Sequence, residues 1–189
     1  MNRSRWSESL REHARVLAET ETACLDALEQ LTEKTVESLA RGGKILLFGN
    51  GGSAADAQHL AAEFTIRFVR NRRALAGLAL ATDASALTAC GNDFGFERIF
   101  SRQIEALGRP GDLAIGFSTS GNSRNVMLGL AKSRETGIFT AAFTGSSGGT
   151  LREVADLVIA VPSVETARIQ EMHGLLGHLL CQEIEDRFL

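Results

Sequence analysis

Lys44-Ile45-Leu46-Leu47-Phe48-Gly49-Asn50-Gly51-Gly52-Ser53 runs from a short apolar stretch straight into a glycine-rich turn. A run of this length, ending in glycine and with no polar alternation, reads as a strand buried on both faces. The same pattern recurs at Leu75 to Leu80, Leu113 to Phe117, Ile138 to Phe143 and Leu157 to Val161. Helix-like segments separate the runs: Ala54 to Arg67, Phe96 to Leu107, Asn122 to Thr136, a short one near Leu151, and a last one from Thr166 to Phe188. Such alternation predicts an α/β fold, a parallel sheet covered by helices on both faces. Ligands of such sheets sit at the carboxyl ends of the strands, so the loops after Phe48 and Phe117 become the candidate site.

Upstream of this body the first forty residues read as one amphipathic helix. Leu10, Val16, Leu17, Cys24, Leu25, Leu28 and Leu31 recur at helical spacing among charges, and no glycine or proline precedes Gly42. The expected organisation is a helical arm over residues 1–42, serving subunit assembly, and one domain over 43–189. The 189 residues suffice for a single sizeable core. With 20 Lys and Arg against 23 Asp and Glu, the chain has no basic excess to attract nucleic acid. An anionic substrate therefore needs local donors. Cys24, Cys90 and Cys181 are scattered and form no CxxC pair, so all three are expected as buried thiols in a reducing compartment. Neither a signal-peptide core nor a membrane-length apolar run is present, and a cytoplasmic protein without a membrane partner is expected.

Two loops carry chemistry. Asn50, Gly51, Gly52 and Ser53 lie between a strand and a helix, where glycines let a ligand approach the backbone and free helix amides attract anions. The loop has neither the P-loop Lys-Ser/Thr pair nor the GxGxxG spacing. Ser118-Thr119-Ser120-Gly121-Asn122-Ser123 places four hydroxyls within six residues at the head of the next helix. A cap needs only one of them, so the cluster predicts a phosphate cradle. His59 and Glu63 stand four apart on one helix face, and Gln170 and His178 share a stripe of the last helix with Gly174, Gly177 and Cys181. The small residues suggest an open groove between Gln170 and His178. Together the four polar side chains suit a metal site or an acid–base pair. His13 reads as a surface residue of the arm and His173 as a core histidine.

Taken together these segments resemble the phosphoheptose isomerases of the sugar-isomerase (SIS) superfamily. The carriers are Gly49 to Ser53 with His59 and Glu63, Gly91-Asn92-Asp93-Phe94-Gly95-Phe96, Ser118 to Ser123, and Ala167-Arg168-Ile169-Gln170-Glu171-Met172-His173 with His178. The resemblance implies a flavodoxin-like three-layer sandwich assembled as a homotetramer with sites at subunit boundaries. It implies an aldose–ketose isomerase converting sedoheptulose 7-phosphate to glycero-manno-heptose 7-phosphate. It further implies one Zn²⁺ per subunit held by His59, Glu63, Gln170 and His178, with Glu63 as base and His178 as acid. Phosphate would lie on Ser118, Thr119, Ser120 and Ser123, and Asn50, Gly51, Gly52, Ser53, Arg67, Asn92, Asp93 and Gln170 would line the sugar. Ile66 departs from the glycine that often precedes the arginine. A similar non-catalytic relative binds DnaA but lacks counterparts of Glu63 and His178, and isomerases of other phosphosugars share the loops.

Overall fold

The computed structural model describes residues 3–189; the first two residues of the expected arm lie outside it. Helix α1 (Arg3–Ala40) leads into β1 (Ile45–Gly49), α2 (Gly52–Thr65), β2 (Gly77–Ala79), α3 (Ala84–Asp93) and, after a 3₁₀ turn, α4 (Ile99–Leu107). Then follow β3 (Leu113–Ser118), α5 (Arg124–Glu135), β4 (Phe139–Thr144), α6 (Leu151–Val154), β5 (Leu157–Ala160) and α7 (Thr166–Arg187). The five strands are parallel in the order β2-β1-β3-β4-β5, the flavodoxin-like arrangement expected. That order reverses direction between β1 and β3, and ligands enter at such a switch point. The two loops singled out from the sequence are the ones that leave those strands.

Alternate strand residues feed two cores. Ile45, Leu47, Leu113, Ile115, Phe117, Ala141 and Phe143 face one side, where α1, α2 and α7 pack. Leu46, Phe48, Ala114 and Ala142 face the other, against residues of α4 and α5. Phe48, Phe117 and Phe143 are fully buried, and each is worth about 1.5–3 kcal/mol over an exposed side chain. α2 and α7 thus share one layer, which brings His59 and His178 to the same face. α1 sinks Val16, Cys24, Leu28, Leu31 and Leu39 into that core and leaves Trp6, Leu10, Leu17 and Leu25 exposed. Its start is tied down by Arg168, which donates to the Ser9 carbonyl at 2.8 Å, and by His13, 2.7 Å from Glu171.

Several boundaries differ from the sequence reading. α2 ends at Thr65, so Arg67 lies beyond the helix. α3 was not anticipated: it buries no residue and so shows no apolar periodicity, and its start is fixed by Asp83, which accepts from the amides of Ser85 and Ala86. Cys90 sits on this half-exposed helix and is only partly buried, unlike Cys24 and Cys181; all three thiols are free. Among the described residues no helix is long and apolar enough to cross a membrane.

Candidate active site

The β1–α2 loop is shaped by what it lacks. Gly51 turns with φ 57°, a left-handed conformation that side chains resist, and the space beside it is empty. Gly52 starts α2 directly beneath the amide of Gln170, whose Nε2 a Cβ there would overlap. Ser53 is buried against Gly49 rather than lining the opening. Asn50 is half-buried, and its side chain is engaged with Asn125 in the first turn of α5.

Further along, α2 and α7 touch where Leu60 rests on Gly177: a Cβ on Gly177 would come within 2.6 Å of Leu60. This corrects the expected open groove. Gly174 does face open space, but Gly177 and Cys181 are buried in the helix contact. The close crossing serves the neighbouring residues. His59 Nε2 lies 2.7 Å from His178 Nε2, a distance at which one nitrogen donates and the other accepts. Glu63 Oε1 stands 3.7 Å from His59 Nε2, with its side chain largely shielded. Phe68 covers the other side of His178, ring centroids 5.5 Å apart. Gln170 contacts Gly52, about 10 Å along α2 from His59 at 1.5 Å per residue, so it does not join this cluster as it stands. Among the described residues no three His, Cys, Asp or Glu side chains form a ready metal cage.

The β3–α5 loop is built from side chains. Ser118 Oγ donates to Ser123 Oγ at 2.9 Å and lies 3.4 Å from Ser120 Oγ. Ser120 Oγ also accepts from the Asn122 amide at 3.1 Å. Ser123 occupies the N-cap position of α5 yet makes no capping hydrogen bond. The serine hydroxyls converge on one another instead, beside first-turn amides that have no partner within the helix. Thr119 stands outside this trio and lines an adjoining polar hollow with Ser146, Ser147 and Ser163.

Three expected sugar-lining residues stand apart. Arg67 is exposed and bonded to Asn71, and Asn92 and Asp93 bond each other at the exposed end of α3. Other residues matter that sequence reasoning passed over. Glu185, buried on α7 two turns past His178, accepts from the amides of Phe68, Val69 and Arg70. Burial opposes its ionisation, but those amides and Arg72 outweigh it and hold the carboxyl below the ordinary range. Arg72, its side chain fully shielded, donates to the carbonyls of Glu63 and Phe64. This pair fixes the end of α2 and the Phe68 turn against α7. Asn125 is the third, and its only local signal is an asparagine in the first turn of a helix. His173, as expected, is a core residue; burial lowers its pKa to about 4 against a weaker upward pull from the Thr144 carbonyl.

Residues 8–145 match the SIS domain family. Over 178 residues the chain is 59% identical to the phosphoheptose isomerase of Paramagnetospirillum magneticum, covering 94% of this chain and 93% of that one. The chain belongs to the phosphoheptose isomerases. Like the family, it is an aldose–ketose isomerase. The solved phosphoheptose isomerase of Neisseria gonorrhoeae superposes with a TM-score of 0.91 at 44% identity, over 97% of this chain and 98% of its own. That of Francisella tularensis gives 0.94 at 34% identity over 97% of each. The likeness therefore extends to α1. Within the chain, Glu63 and His178 both adjoin His59 in one cluster.

Proposed function

We propose that the chain interconverts D-sedoheptulose 7-phosphate and D-glycero-D-manno-heptose 7-phosphate through an enediol(ate), in heptose biosynthesis. One observation carries this reading: a shielded carboxylate and two imidazoles from separate helices converge on the same face of the sheet whose switch-point loop presents a hydroxyl cluster. Glu63 takes the proton from C1 of the open-chain ketose and delivers it to C2. His178 protonates the oxygen at C2 as the carbonyl electrons shift and then takes the proton from the oxygen at C1 as the aldehyde forms, working from the opposite side of the sugar. Ser118, Thr119, Ser120 and Ser123, with the first-turn amides of α5, hold the phosphate, so the reacting carbons are presented in one pose. Asn50, Gly51, Gly52 and Gln170 line the sugar. Arg67, Asn92 and Asp93 complete the site across a subunit boundary in a homotetramer, for which the exposed Trp6, Leu10, Leu17 and Leu25 of α1 supply apolar surface.

Zinc fits the donors in kind. Two imidazole nitrogens and a carboxylate oxygen are zinc ligands, although 2.7 Å between the nitrogens is tighter than the roughly 3.3 Å kept by two ligands on a tetrahedral ion. After a small parting of the rings, His59, Glu63 and His178 would hold the ion, with Gln170 turning in from Gly52. When bound it supplies Lewis-acid polarisation of the sugar oxygens. The free thiols suit a cytoplasmic setting. The reading is tested by NMR in D₂O with a panel of ketose phosphates, with and without chelator. Deuterium enters C1 of sedoheptulose 7-phosphate faster than any hexulose or pentulose phosphate. Preferred exchange into a shorter ketose overturns the substrate, and the absence of both exchange and aldose formation with every ketose phosphate overturns the enzyme.

A further inference from the structure

Asn50 and Asn125 form a closed amide pair. Asn50 Nδ2 donates to Asn125 Oδ1 at 2.8 Å, and Asn125 Nδ2 donates to Asn50 Oδ1 at 2.8 Å. The residues are 75 apart in sequence: Asn50 lies in the β1–α2 loop and Asn125 in the first turn of α5. The orientation of the pair is not free. The backbone amide of Val126, a first-turn donor of α5, donates to Asn125 Oδ1 at 2.9 Å. Turning the Asn125 amide over would set its NH₂ against that N–H and leave a donor unsatisfied in a site where Asn125 is 3% exposed. A helix amide therefore dictates which way Asn125 faces, and Asn125 dictates which way Asn50 faces. Asn125 spends both Oδ1 lone pairs and one of its two Nδ2 hydrogens within this arrangement and is buried, whereas half-buried Asn50 keeps one Nδ2 hydrogen and one Oδ1 lone pair for a ligand.

We infer that Asn125 is a positioning residue for the isomerisation: it locks the Asn50 amide in the orientation that meets the sugar, and it ties that amide to the helix whose first turn receives the phosphate. This rests on the reading of Asn50 as a sugar contact. Asn125 itself touches no substrate. Its effect is on the pose of the reacting carbons and not on the grip of the phosphate, because the serine trio is bonded independently of it.

The test is a double-mutant cycle on the full chain, with kcat, KM and the inhibition constant of inorganic phosphate as readouts. Asn50→Ala and Asn125→Ala each lower kcat about tenfold, as a small misplacement of a bound substrate does. The double variant is no worse than Asn50→Ala within twofold, and inhibition by phosphate moves less than twofold in all three. Asn125→Asp serves if the alanine variant does not fold: it keeps the acceptor for Val126 and suits a helix N-terminus, but cannot donate to Asn50, and its kcat falls likewise. Losses that multiply in the double variant overturn the inference alone, since Asn125 would then act without Asn50. Wild-type kcat in Asn50→Ala overturns both the inference and the sugar contact beneath it.

Discussion

The two loops at the switch point solve one problem by opposite means. In the β1–α2 loop, glycines remove side chains so that another element can come close: Gln170 of α7 rests on Gly52, and the helix that follows carries His59 and Glu63 to His178. In the β3–α5 loop, side chains fill the space and bond one another, and Gly121 is hemmed in by the backbone of Gly148 rather than by a flexible side chain. On the proposed reading the first loop delivers chemistry from its helix, and the second holds a ligand at its own tip. A parallel sheet lends itself to this division, since neighbouring strands end side by side and each loop is free to specialise. The Asn50–Asn125 pair is where the two are fastened together.

Kinetics should separate the loops, and the largest effect belongs to the first. Glu63→Gln and His178→Gln each reduce kcat about 10²-fold or more, because proton transfer is lost while the phosphate is still held. Ser120→Ala with Ser123→Ala instead raises KM about tenfold and changes kcat little, since it removes binding remote from the reacting carbons. Steady-state kinetics on the heptose phosphate, with circular dichroism to check folding, decides it. A kcat loss in the serine variant equal to that in Glu63→Gln would erase the division of labour.

Acid should act on the second loop from beneath. His173 lies under β4, its Nε2 3.2 Å from the carbonyl of Thr144, whose register partner is Ser118. Its pKa falls from 6.5 to about 4 on folding because burial disfavours the imidazolium. The unfolded chain therefore binds the extra proton between those values. The stability contributed by neutral His173 is complete above pH 6.5 and drains away as the pH drops toward 4. Between pH 7 and pH 5 the loss is about 2 kcal/mol. Urea unfolding at the two pH values measures it. His173→Leu should flatten the difference by about that amount; an equal pH dependence in the variant would mean that other groups carry it.

How much of this was legible depended on the range of the interactions. The run Lys44 to Phe48 followed by glycines announced β1 and its loop, because burial on both faces writes itself into consecutive residues. The pairing of His59 with Glu63 was readable from helical spacing alone. α3 was invisible because none of its residues is buried, so no periodicity marks it. Gly177 was read as part of a groove because a stripe of small residues looks the same whether it faces solvent or another helix; only the packing of Leu60 decides. Asn125, Arg72 and Glu185 stayed hidden for a related reason. Their partners lie across the fold, Phe68 and Glu185 being 117 residues apart, or in backbone atoms that carry no sequence signature. Local rules found the strands and the helix faces, while the supports of the site depend on topology.

The smallest predicted effect probes the glycine loop itself. At Gly52 an added methyl would overlap Gln170 Nε2, the far end of a flexible side chain, so the strain is relieved by moving Gln170 rather than the backbone. Gly52 does not adopt a positive φ, and alanine there loses less chain entropy on folding, a gain of about 0.4–1 kcal/mol. Gly52→Ala should therefore melt at the same temperature or slightly higher. It should also lose activity about threefold, since a displaced Gln170 meets the sugar less well. Stability and turnover moving in opposite directions would tie the glycine to the approach of α7 and not to the fold of the loop. Full activity with raised stability would mean that Gln170 reaches its working position from elsewhere, and the first loop would then differ from the second in composition only.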